Sequence, residues 1–123
     1  VAMGADEANG IASWHKGRLR LSYNADANPV LGRIANTLAR LTRETGHTVF
    51  FPRQMPVTVH PLGGARVDAS AQRGVLNSQG EVHGHPGLFI VDGSALPGAP
   101  GTPPSMSIAA WALHVSHQIA ARG

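Results

Sequence analysis

The chain has 123 residues, 42% of them hydrophobic and 14% charged, enough for one modest core and too apolar for a disordered tail. It has no cysteine, so disulfides, a thiolate nucleophile and a thiolate zinc site are excluded. Net charge is +3 at pH 7 with the arginines scattered, so nothing here makes the basic stripe of a nucleic-acid-binding protein, and no nucleic-acid partner is expected. The 15 glycines and 9 prolines forecast many turns and ordered loops. No apolar run approaches the ~20 residues that span a bilayer. The opening Val1-Ala2-Met3-Gly4 resembles neither a leader peptide nor an initiation site, so the chain is expected to be a piece of something larger.

Residues 1–17 carry little periodic signal, with turns at Asn9-Gly10 and Lys16-Gly17. Arg18-Leu19-Arg20-Leu21-Ser22-Tyr23 alternates strictly and predicts an antiparallel strand, half-buried on its Leu19, Leu21 and Tyr23 side. Asn28-Pro29 is a helix start, with Asn28 able to cap. Val30, Ile34, Leu38 and Leu41 recur at helical spacing and Gly46 stops the pattern, predicting a helix over 29–45. Residues 48–51 and 57–59 look like short strands about a turn near Pro52 and Pro56. Residues 60–86 are turn-rich, with a weak extended signal at 73–76. Leu88-Phe89-Ile90-Val91, between Gly87 and Asp92-Gly93, reads as a strand buried on both faces of a parallel sheet. After a Gly/Pro stretch a last helix begins at about Ser105, its inner face formed by Ile108, Trp111, Ala112, Val115 and Ile119.

Two places could carry chemistry. A helix starting after Pro104 leaves the amides of Ser105, Met106 and Ser107 aimed at an anion or polarised carbonyl, unless the serines simply cap themselves. His60, where extended chain meets Pro61-Leu62-Gly63-Gly64, is either an acid/base beside a closely approached backbone or a structural histidine before a turn. The pairs His83/His85 and His114/His117 share faces but lack a third ligand, so they are expected to face solvent and no metal site is expected. No GxGxxG, Walker loop or nucleophile elbow occurs.

Two segments, Thr58-Val59-His60-Pro61-Leu62-Gly63-Gly64 with Gly80-Glu81-Val82-His83-Gly84 to Asp92-Gly93-Ser94, and Leu96-Pro97-Gly98 to Pro104-Ser105-Met106-Ser107-Ile108-Ala109-Ala110, carry a resemblance. In order and spacing they are similar to the C-terminal signature of the glucose–methanol–choline oxidoreductases, above all the cholesterol-oxidase-like branch. The resemblance covers the whole chain but only the last quarter or so of a full-length enzyme. It implies a flavoprotein that oxidises an alcohol, a sterol or another bulky one, by hydride transfer to FAD. His60 would be the catalytic acid/base, Asp92 and Gly93 would contact the FAD ribityl region, and the helix start at Pro104, Ser105 and Met106 would face the flavin.

The resemblance further implies an α+β or mixed α/β fragment. Residues 1–57 would supply sheet and helix of the substrate domain, 58–86 the catalytic-histidine loop, and 87–123 the last strand and helix of the FAD-binding domain. The GxGxxG that holds the FAD pyrophosphate lies outside this chain, so the fragment needs the missing N-terminal FAD-binding region, is expected to be inactive alone, and should self-associate through surfaces left without partners. Two positions depart from the pattern. Pro103 stands where the family has asparagine or histidine, and it brings neither a polar side chain nor an N–H. Ala65 stands where this branch often has cysteine. The alternative to an enzyme is therefore a catalytically degenerate scaffold that acts as a binding module.

Overall fold

The computed structural model describes residues 2–50 and 57–123, which fall into two compact units divided between Thr58 and Val59. Among the described residues it is an α+β chain: two paired strands, two long helices and one short 3₁₀ turn.

In the first unit, β1 (Ile11–His15) and β2 (Arg18–Ser22) form an antiparallel hairpin that pairs Trp14 with Leu19 and Ala12 with Leu21. Its two-residue turn is Lys16-Gly17, with φ of 49° and 75°. Positive φ at both positions is what a turn matching the strand twist requires, and it explains Lys16 as the one non-glycine residue of positive φ among the described residues. The second strand lies where the alternation placed it, but its expected half-burial does not hold. Both faces are exposed, with Leu19 at 61% and Leu21 at 76%, because only the partner strand packs on it. The partner β1 went unread, since its apolar side is only Ala12 and Trp14, too short an alternation to stand out.

The first helix, α1 (Pro29–Thr45), has the predicted bounds, and Gly46 closes it with φ 71° and an N–H donated to the Thr42 carbonyl. Asn28 is the N-cap residue by position, yet its side chain does not cap. Buried to 2% exposure, it accepts from the Glu7 N–H (2.7 Å) and donates to the Asn24 carbonyl (2.6 Å), tying the entering chain to the helix start. Those two bonds outcompete the cap because they satisfy both ends of a buried amide. Of the strand-like runs, 48–50 and 57–59 hold no strand; Phe51 and the turn at Pro52 and Pro56 lie outside the described residues.

The second unit has little regular sheet. Backbone bridges join Val67 to Leu76, Leu76 to Val82, and Glu81 to Phe89, folding the turn-rich stretch into a compact knot. On it lies α2 (Ser105–Ala120). The core is Leu76 and Val115, both fully buried, with Ala95 and Ala65 beside them. The run 88–91 is not a strand of a parallel sheet here. It makes one antiparallel bridge, at Phe89, and leaves Leu88 and Val91 substantially exposed, since no strand of this unit lies alongside it. Ile119 also departs from its expected inward position and is exposed, the helix being held at that end by Arg122 instead.

Candidate active site

Three local features lay the stretch after His60 along residues 92–97. The Ala65 N–H donates to the Ser94 carbonyl (2.9 Å) and the Val67 N–H to the Ala95 carbonyl (3.2 Å), so the stretch after His60 runs along the Asp92–Leu96 turn. Gly63, at φ 78°, turns its Cα toward the Leu96 and Pro97 carbonyls, where a Cβ would stand 3.7 and 3.6 Å away. A side chain there would be strained by the backbone conformation itself. Gly64 passes over Ser94 in the same way.

The turn itself is self-organised. Asp92 caps the 3₁₀ helix η1 (Gly93–Ala95), accepting from the Ser94 N–H (2.8 Å) and from the Ser94 hydroxyl. These two bonds, the hydroxyl's foremost, hold its carboxyl below the usual carboxylate range, so Asp92 is anionic at neutral pH. Gly93 is buried, with Leu62 and Ile108 both close over its Cα.

The helix start lies where the sequence put it, with Pro104 as the N-cap residue rather than the first helical one. Pro104 is buried while Ser105, Met106 and Ser107 are exposed, and no side chain caps the helix. Neither serine is the N-cap residue, so the capping expected as the alternative is not made from that position. The Ile108 N–H already bonds the Pro104 carbonyl (2.9 Å), so the helix ladder begins there and the amides before it remain for another acceptor. His60 is half-buried and opens the same unit.

The histidine pairs do not both turn to solvent. The half-buried His83 ring bonds the Asp68 carbonyl (3.0 Å), and His114 bonds the Ser78 carbonyl (3.0 Å) while stacking on Trp111. These are structural roles that pin the knot and the helix. No group of three or more metal-binding side chains occurs among the described residues. Spacing did not foretell one further anchor. Arg122 reaches from the end of α2 to Glu81 (3.1 Å) and Gln79 (2.6 Å) and lies over the Phe89 ring.

Within this unit the stretch after His60 runs along the Asp92 turn, and Gly93 of that turn packs against Ile108 in the first turn of α2. Residues 33–112 match the family profile of GMC oxidoreductases, and the chain belongs to that family. It is 38% identical over 85 residues to a cholesterol oxidase of Mycobacterium tuberculosis, covering 69% of this chain and 14% of that protein. A cholesterol oxidase of Acinetobacter baumannii is 37% identical over 100 residues, covering 81% of this chain and 18% of that protein. The long-chain-alcohol oxidase FAO4B of Arabidopsis thaliana is 37% identical over 62 residues, half of this chain and 8% of that protein. The chain thus spans less than a fifth of the length of these relatives. No solved structure matches it significantly.

The family is FAD-dependent, and the residues present fit one end of that cofactor. The uncapped start of α2 offers the amides of Ser105, Met106 and Ser107, with no side chain occupying them. Nothing in the 123 residues has the glycine pattern that cradles a pyrophosphate.

Proposed function

We propose that this chain is the part of an FAD-dependent alcohol oxidoreductase that carries the catalytic histidine. FAD, when bound, supplies the hydride acceptor; its pyrophosphate would be held by a region outside this chain. His60 removes the hydroxyl proton of the substrate as the carbinol hydrogen leaves as hydride. The first-turn amides of α2 favour negative charge developing opposite them, as any helix start does. Asp92 serves the site by fixing the Gly93 turn, since its carboxylate is engaged by Ser94. Cholesterol oxidases and a long-chain-alcohol oxidase among the relatives support a sterol or other bulky, apolar alcohol as substrate. The same relatives do not favour the degenerate-scaffold reading, although Pro103 removes a polar group from the usual pair.

The observation that carries this reading is the convergence of the His60 loop, the Asp92 turn and the uncapped start of α2 within one compact unit. The test is to mix the full-length, FAD-loaded protein anaerobically with a sterol and with a long-chain alcohol. Bleaching of the flavin absorbance by either supports the reading. Bound FAD that neither alcohol reduces overturns it in favour of the scaffold.

A further inference from the structure

Gly93 occupies a narrow place. A Cβ built on it would stand 3.1 Å from Leu62 Cδ2 and 3.1 Å from Ile108 Cδ1, with Ile108 Cγ1 at 3.5 Å. Gly93 is buried, so these two side chains and not solvent lie over its Cα. Leu62 follows His60 by two residues, and Ile108 follows Ser105 by three. The glycine is therefore the point where the histidine loop and the first turn of α2 close on each other.

We propose that Leu62 and Ile108 are positioning residues: both closing on the Cα of Gly93, they set the placement of His60 relative to the amide end of α2. The inference rests on the reading of His60 as the acid/base and assigns to Gly93 a packing role that contact with a cofactor does not require. Ordinary close contact begins at separations longer than 3.1 Å, so a methyl group at Gly93 forces a shift of a few tenths of an ångström in Leu62, Ile108 or both. Well-packed interiors pass such shifts on instead of absorbing them. Because rates fall about a hundredfold for a displacement of about 1 Å, a shift of this size should lower turnover about tenfold.

The experiment compares Gly93→Ala with Gly93→Ala/Ile108→Val in full-length, FAD-loaded protein. Two readouts are taken: alcohol oxidation, and the NMR resonance of the His60 ring, assigned by its loss in His60→Asn. Gly93→Ala should move the ring resonance and lower kcat about tenfold with KM little changed. Ile108→Val removes the Cδ1 that the new methyl meets, so the double variant should return both readouts toward wild type. A Gly93→Ala protein with unchanged resonance and rate overturns the proposal, and so does an effect that remains when Leu62→Ala is added to the Gly93→Ala/Ile108→Val pair, since a glycine facing the cofactor would behave that way. Should Gly93→Ala not fold, Leu62→Ala opens the same contact and must itself move the His60 resonance; an unmoved resonance is again decisive against it. A wild-type protein without alcohol oxidation would refute the enzymatic reading, while the ring resonance would still decide the positioning.

Discussion

Gly80 lies directly beneath Val115. At φ 80°, it would place a Cβ 2.9 Å from Val115 Cγ1 and 3.3 Å from Trp111 Cζ2, and closer still to Val115 Cγ2. Here the turn-built knot meets the helix, and Val115 is fully buried. Gly80→Ala combines a left-handed backbone with overpacking, each costing about 1–3 kcal/mol. The second unit should lose about 2–5 kcal/mol, read as a lowered urea midpoint with the slope unchanged. A variant as stable as wild type would mean that α2 does not sit against Gly80.

Trp111 ties the same helix to the knot through its indole N–H, which donates to the Ile90 carbonyl (3.1 Å). Trp111→Phe keeps much of the aromatic area but leaves that carbonyl without its donor. The expected loss is about 1–2 kcal/mol, measured by thermal or urea unfolding. Amide exchange should also quicken in α2 before it does in α1, which belongs to the other unit.

Acid should weaken the second unit. The Arg73 side chain and the Ser70 N–H hold the Asp68 carboxyl low, the Gly87 N–H and Arg122 hold Glu81 low, and the Ser94 hydroxyl and N–H hold Asp92 low. A folded carboxyl depressed below its unfolded value contributes stability above the unfolded value, near pH 4, and loses it as pH falls through the folded one. Stability should therefore be insensitive to these groups between pH 5 and 7, by the same reasoning, and decline below about pH 4. Glu81→Gln should flatten that decline. An identical acid slope in this variant would show that Arg122 and Gly87 do not favour the ionised form.

How far all this was legible in the sequence depends on where the determinants lie. The first helix was readable from end to end because Pro29 and Gly46 punctuate a 3.6-residue apolar rhythm; of α2 the start was readable after Pro104, but no end was marked and Ile119 turns outward. The knot was not readable. Leu76 and Gly80 are central to its core, yet they sit in turns whose order comes from backbone bonds such as Asp68 N–H to the Leu76 carbonyl, which leave no periodic trace. The run 88–91 misled for a related reason. A short apolar stretch reports burial only when something lies over both faces, and here its one strand-like pairing is the bridge at Phe89, with Leu88 and Val91 left exposed. In the site, the position of the α2 start could be foreseen from Pro104, while whether the serines capped it was left open. The role of His60 came from resemblance, because one histidine before a turn has no spacing that marks it as an acid/base.

His60→Ala in the full-length enzyme should lower alcohol turnover about 10²–10⁴-fold, as removal of a general base does. Flavin content should stay normal, because in the proposed role the residue acts on the substrate hydroxyl and not on the pyrophosphate. Unchanged turnover would remove His60 from the chemistry, and lost FAD or unfolding would make it structural.

Pro103→Asn restores a polar group one residue before the buried Pro104. If Pro103 limits how the substrate hydroxyl is held, turnover by the full-length enzyme should rise, with the gain in kcat/KM. High activity with Pro103 that the asparagine destroys would show that the hydroxyl is positioned by another group and that proline sets the entry into α2.

The 123-residue chain alone should self-associate, and the hairpin is the place to test it. One face carries Trp14, Leu19 and Leu21, exposed by 73, 61 and 76%, as neighbours across paired strands, and both edges of the two-stranded sheet are open. Apolar faces and open edges recruit further strands or second copies. Light scattering at micromolar concentration should give a dimer or larger species. Leu21→Lys should shift it toward monomer at little cost in stability, because the side chain has no core contact to lose. A clean monomer for the unaltered chain would show that it shields this face unaided. Association untouched by Leu21→Lys would move the contact to other exposed apolar residues, such as Leu88 and Val91 of the second unit.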